Sequence, residues 1–235
     1  MQMSVFCRKY PAATLLFGCA LLLCGGYLAM TVTDMALSRV RIDPLVRVVS
    51  AVAVCLAAYA GARLSGEYAP RALRIVLWLC FVLYVHLVIT FTLTDAGFGR
   101  QVVREREYYM EWYVNFRPFA TIRTIYVDGY RYQYISLRYL LLNLGGNLIL
   151  FAPFAFFLPR LFAWFDRFWK FALLILGLVT AVELLQLLFM CGSCDVDDIL
   201  LNVGGALATY GILAIPAVRK LADRAFPQSS NEKVL

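Results

Sequence analysis

A bundle of about six membrane-spanning helices is the fold this sequence predicts. Three observations predict it: the apolar composition, the length of the apolar runs and the placement of the charges. Of 235 residues, 62% are hydrophobic and 16% are charged. A soluble domain is nearer half apolar and a quarter charged. Mean hydropathy is +0.73. These values exclude a disordered chain, a coiled coil and a secreted disulfide scaffold.

Six runs are long and apolar enough to cross a bilayer, which takes about 20 residues. They cover 12–32, 45–62, 72–93, 139–158, 171–190 and 199–218. The second is short and rich in Ala and Val. Pro44, Pro70 and Pro159 fall at span boundaries, where a missing N–H costs little. The first run follows Arg8 and Lys9, as a signal peptide would. It is too long for one and ends on no small-residue cleavage site, so it is expected to remain as a span.

The charges then set the orientation. Net charge is +7, from 22 Lys+Arg against 15 Asp+Glu. Basic loops in a membrane protein set topology and touch anionic headgroups, so the lipid bilayer is the expected partner and nucleic acid is not. With the N-terminus inside, the inner segments hold Arg8, Lys9, Arg63, Arg71, Arg74, Arg160, Arg167, Lys170, Arg219, Lys220, Arg224 and Lys233. The short outer loops hold Arg39, Arg41 and Arg47. The asymmetry predicts a multi-pass cell-membrane protein with both termini cytoplasmic. Its expected organisation is a three-span region at 1–93, an extracytoplasmic interfacial segment at 94–138, a three-span core at 139–218 and a cytoplasmic tail at 219–235.

The segment 94–138 is too long for a plain connection. Seven arginines are interleaved there with Tyr108, Tyr109, Trp112, Tyr113 and the aromatics of 130–134. That mixture suits the headgroup zone. The stretch 101–114 is expected to form an amphipathic interfacial helix. Of seven cysteines, only Cys191 and Cys194 lie close together near a helix end. A structural zinc site wants four ligands, and the single histidine, His86, is distant. A local disulfide or two free thiols is the expectation.

Polar residues inside apolar spans are informative, because each costs about 2.5–3.5 kcal/mol at a span centre when it is charged. Asn143 and Asn147 are four apart, with Gly145 and Gly146 between them for close helix approach. Glu183 and Gln186 are three apart on the fifth span. Asp195, Asp197 and Asp198 follow in the next turn, and Asn202 stands four residues beyond Asp198, above Gly204 and Gly205. Chain direction puts all of them at one membrane face. The arginine-rich segment enters from that face, so Arg117 and Arg123 are candidates to pair with the acids. Structural readings exist for each group: an Asp can cap the sixth helix, and Asn or Gln can join helices. Glu183 is the hardest to assign to packing alone, since an intramembrane acid is a functional residue by default. It is expected in the bundle interior, within reach of an amide or arginine. The candidate ligand-binding set is therefore Arg117, Arg123, Asn143, Asn147, Glu183, Gln186, Asp195, Asp198 and Asn202.

Three chemistries suit these residue types. Glu183, Asp195 and Asp198 can hold a divalent cation, which wants oxygen ligands; no other cofactor is expected. Carboxylates and amides can hydrogen-bond the hydroxyls or peptide groups of an envelope molecule. Glu183 or Asp198 can act as a general acid or base on a lipid-linked substrate.

At these residues the sequence resembles the VanZ-like membrane proteins. Asn115-Phe116-Arg117-Pro118-Phe119-Ala120-Thr121-Ile122 is similar to one family block. Asn143-Leu144-Gly145-Gly146-Asn147 with Phe151-Ala152-Pro153-Phe154 is similar to a second. Glu183-Leu184-Leu185-Gln186, then Asp195 to Gly205, is similar to the third and most specific. Ala120, Ala155, and Gly192 with Ser193 depart from the usual pattern. The resemblance implies a helical membrane protein associated with lowered susceptibility to teicoplanin. Two functional readings follow. In the first, the protein binds a glycopeptide antibiotic, a lipid-linked cell-wall precursor or an anionic lipid through an acidic-amide pocket in the outer leaflet. In the second, it is a membrane enzyme that uses Glu183 and the Asp carboxylates on a lipid-linked substrate.

Overall fold

The structure is a computed structural model that describes residues 2–36, 42–94 and 102–226. Arg39, Arg41 and the polar tail from Pro227 lie outside the described residues. Among those described, six helical stretches are long and apolar enough to cross a membrane, as the apolar runs predict. The chain divides into two compact units, one of 1–89 with 223–235 and one of 90–222.

The first unit begins with the short α1 (Gln2–Lys9), followed by three long helices, α2 (Pro11–Ala36), α3 (Pro44–Arg63) and α4 (Ala69–Ile89). Asp43 starts α3 by accepting from the Leu45 N–H, and Pro44 occupies the first turn, where its missing N–H is harmless. In lipid, helices associate through close packing rather than hydrophobic expulsion. Small residues supply it: Ala20, Ala58 and Ala62 pack with Leu73 and Val76, and Ala51 packs with Tyr27, Val54 and Leu83. Two polar features interrupt this core. The Tyr27 hydroxyl and His86 Nδ1 share a 2.7 Å hydrogen bond. Arg47, expected in an outer loop, lies inside α3 and is only 4% exposed.

The second unit carries the long segment and the last three spans. After a wide-turned stretch at Thr90–Thr94 come α5 (Arg106–Trp112), the two-residue strand β1 (Val114–Asn115) and α6 (Ala120–Arg123). The helix expected over 101–114 is thus shorter, because Val114 leaves it to pair with a strand. Then α7 (Leu137–Leu140), α8 (Gly146–Leu150) and α9 (Phe154–Leu161) make up the fourth span. This span is broken twice, by wide turns over Leu141–Gly145 and by a kink ahead of Pro153, where proline supplies no N–H. Pro159 lies inside α9 rather than at its edge. The fifth span is α10 (Phe168–Phe189), which ends on Met190 in the left-handed region (φ 49°). Strand β2 (Cys194–Asp195) follows, then α11 (Val196–Ala214) and α12 (Pro216–Ala225). The sixth span stops at Ala214, four residues earlier than expected. Pro216 forces Ile215 into an extended conformation (ψ 126°) and starts a new helix.

Helix α11 is the centre of this unit and packs on α8, α9 and α10. The expected close approach by glycine occurs, but at a different residue. Gly145 and Gly146 face open space. At Gly205 a Cβ would run into the backbone carbonyl of Leu148, so α8 and α11 touch backbone to backbone there.

Candidate functional site

Strands β1 and β2 pair in parallel, with Val114 beside Cys194 and Asn115 beside Asp195. This short pairing brings the arginine-rich segment onto the turn between α10 and α11. Two acidic residues, Asp195 and Asp197, then fix it. Asp195 is the N-cap of α11 and accepts from the Asp197 N–H at 2.8 Å. The same Asp195 oxygen accepts from Asn115 Nδ2 at 3.0 Å. Asp197 is fully buried. Its two oxygens accept from the Phe119 N–H at 2.5 Å and from the Ile122 N–H at 3.1 Å. Those donors are the N-cap residue and the third residue of α6, and the N–H groups of a first turn have no partner within the helix. Phe119 itself has φ 63°, an uncommon conformation for a bulky residue, held here by that carboxylate. Asn115 closes the motif: its Oδ1 accepts from the Arg117 N–H, and its Nδ2 also donates to Thr121 Oγ1.

One layer deeper, Glu183 is 5% exposed, and its Oε2 accepts from the Asp195 N–H at 2.9 Å. Gln186 is 1% exposed. Its Nε2 donates to the Thr92 carbonyl at 2.7 Å, and its backbone carbonyl accepts from the buried Tyr109 hydroxyl at 3.0 Å. On the far side of α11, Asn147 Nδ2 donates to Asp198 Oδ1. Asn202 Nδ2 donates to the backbone carbonyl of Asp198 at 2.8 Å. Two buried acceptors, Gln186 Oε1 and Asn202 Oδ1, have no partner among the described residues. Whatever satisfies them must be a donor.

The structure therefore brings Asn147, Glu183, Gln186, Asp195, Asp198 and Asn202 into one polar belt around the start of α11. Asn143 is not in it. Its Nδ2 donates to the Tyr139 carbonyl of its own helix. The four-residue spacing to Asn147 implies a shared face only on a 3.6-residue helix, and the wide turns over Leu141–Gly145 rotate Asn143 away. Arg117 and Arg123 ride on the anchored segment but do not pair with the acids. Both are exposed, and their guanidinium groups make no ion pair among the described residues. Backbone N–H groups and the Asn115 amide take the place expected for them. Glu183, Asp195 and Asp198 do not converge as a metal site either: no group of three His, Cys, Asp or Glu at metal-holding distance occurs among the described residues. Sequence reasoning missed Tyr109 and the capping role of Asp197. Tyr109 sits in an aromatic run that reads as interfacial, and only its 0% exposure reveals a core residue.

A cavity of about 620 Å³ adjoins the belt, lined by Arg106, Tyr109, Leu184, Leu187, Leu188 and Met190 among others. Its walls are apolar apart from Arg106, and Leu184 and Leu188 are more than half exposed, as lipid-facing side chains are.

The family profile described as VanZ/LLP1 matches residues 81–217. The chain belongs to the VanZ/LLP1 family. The matched region of this VanZ/LLP1 protein includes every residue of the belt and the segment it anchors. No curated protein and no solved structure matches the chain.

The two neighbouring cysteines of the VanZ/LLP1 turn are buried and are not joined in a disulfide. Cys191 bridges to Val102 through the backbone, and Cys194 sits in β2. Burial pushes the Cys194 thiol up to about 11, and the charges of Glu183, Asp195 and Asp198 add to it. A raised thiol stabilises the fold below the ordinary value near 9, and this contribution fades as pH rises from there through about 11. Cys194 is expected to resist maleimide at pH 7.5 in the folded protein and to react at once after denaturation. Mass spectrometry of the labelled peptide checks this, and rapid labelling of the native protein would contradict it.

Proposed function

We propose that this protein is a non-catalytic envelope protein that binds an anionic, lipid-linked component at the belt and its anchored segment, and thereby lowers susceptibility to teicoplanin. One observation carries the reading. The carboxylates accept from N–H groups within the protein, while Arg117 and Arg123 are left exposed among Phe116, Phe119 and Tyr126. Guanidinium groups bind phosphate in a bidentate fashion, and aromatic rings sit at headgroup depth. The cavity beside Arg106 offers an apolar chain a place next to a cation. Loop-arginine asymmetry supports an outward-facing belt with both termini cytoplasmic. A divalent cation or a catalytic carboxylate finds less support, since the acids already serve as acceptors.

The test is expression in a teicoplanin-susceptible bacterial host. Wild-type protein is expected to raise the minimum inhibitory concentration. Arg117→Gln combined with Arg123→Gln is expected to abolish most of that protection at an unchanged membrane level. Full protection by the double variant contradicts the reading. Loss of protection in a folded Glu183→Gln variant would instead favour the enzyme, because Gln keeps an acceptor for the Asp195 N–H and removes only the charge.

A further inference from the structure

The three-helix unit contains a second cavity, of about 540 Å³, which the belt does not use. That volume lies within the 300–1,000 Å³ typical of small-molecule sites. Phe17, Ala20, Leu21, Ala58, Ile75 and Leu79 form much of its wall, and the polar contribution is minor. One lining residue is a cation, Arg71. Its side chain is exposed and has no hydrogen bond or ion pair among the described residues. Ser65, the buried hydroxyl of the lining, is already satisfied by the Gly61 carbonyl at 2.8 Å.

The end of the unit that carries Arg71 is basic. The close of α1, the close of α3 and the start of α4 bring Arg8, Lys9, Arg63, Arg71 and Arg74 to that end. Against these cations, Glu67 is spent on Lys9 at 2.7 Å, and Asp223 lies beside Arg224, whose carbonyl accepts from Arg63. Apolar walls gain dispersion contacts from an apolar body that fits against them. In a helix bundle surrounded by lipid, the apolar body at hand is an acyl chain, and the cations at the mouth select the headgroup.

We propose that this cavity is a binding site for an anionic phospholipid of the adjacent leaflet, with one acyl chain along Phe17, Ala20 and Ile75 and the phosphate on Arg71. The charge complementarity at the mouth chooses an anionic lipid over a zwitterionic one. Each Lys or Arg near a membrane surface favours anionic lipid by about fivefold.

The test is native mass spectrometry of the full-length protein released from nanodiscs that contain equal phosphatidylglycerol and phosphatidylcholine. Wild-type protein is expected to retain one phosphatidylglycerol in preference to phosphatidylcholine. Arg71→Gln is expected to cut that preference about fivefold. Ala72→Phe, which fills the cavity, is expected to lose the lipid with the headgroup cations intact. If that variant does not fold, Ile75→Trp at the exposed mouth replaces it, because Ile75 is 70% exposed and tolerates bulk. Equal retention of both lipids, or undiminished retention in the cavity-filling variant, overturns the proposal. A lipid-free dimer that Ile75→Trp dissociates also overturns it and assigns the groove to a second copy of the chain.

Discussion

Asp197→Ala is expected to release the segment 115–122 from the bundle and to cost about 3 kcal/mol. The carboxylate is fully buried and serves two backbone donors, the Phe119 and Ile122 N–H groups. A hydrogen bond to a charged group contributes about 1.5–3 kcal/mol, and a donor left buried without a partner costs a similar amount. Both losses act on a stretch whose α-helical part, α6, has four residues and runs directly into wide turns over Thr124–Arg131, too short to persist without tertiary contacts. Phe119 would then leave its left-handed conformation, and α6 would unravel first. Limited trypsinolysis in mild detergent reads this directly, with rapid cleavage after Arg123 in the variant and slow cleavage in the wild type. Asp197→Asn retains one acceptor oxygen and is expected to fall between the two. An Asp197→Ala protein that resists trypsin and melts with the wild type would show that β1 and Asn115 hold the segment by themselves.

Gly205→Ala is expected to be more damaging than a single methyl group suggests. The new Cβ would meet the Leu148 backbone carbonyl. Backbone cannot move aside as a side chain can, so α8 and α11 must separate along their contact. Overpacking costs about 1–3 kcal/mol where side chains can adjust, so about 3 kcal/mol or more is expected here. The separation also pulls Asn147 away from Asp198. Gly204, one residue earlier, faces open space, and Gly204→Ala is expected to be nearly neutral. The contrast between two adjacent glycines, measured as detergent melting temperatures, isolates the contact from helix propensity. Equal effects of the two substitutions would contradict the account.

These two positions also show where the sequence is legible. The six spans are readable because the bilayer imposes a length and a polarity on every one of them. Glu183, Gln186, Asp195, Asp198 and Asn202 stand out because a polar group inside an apolar run needs a reason. What the sequence leaves open is the identity of each partner. Asp197 and Phe119 are 78 residues apart, and no periodicity links a carboxylate to a backbone N–H at that distance. Asn143 misleads for a different reason. The 3.6-residue rule holds only on a regular helix, and the turns over Leu141–Gly145 break the rule at that point. The arginines mislead through charge alone: acids beside Arg117 and Arg123 suggest ion pairs, yet the backbone of the same segment supplies donors that are closer and already fixed.

The proposed function has the belt position cations for binding and carry out no chemistry. It is tested most directly with purified protein in nanodiscs loaded with a long-chain polyprenyl diphosphate, followed by native mass spectrometry of the complex and extraction of the lipid. The wild-type protein is expected to retain the lipid and to return it chemically intact. Arg117→Gln with Arg123→Gln is expected to lose retention while keeping the wild-type melting temperature. Failure of the wild type to retain the lipid, or recovery of the monophosphate in a Glu183-dependent manner, would contradict the claim.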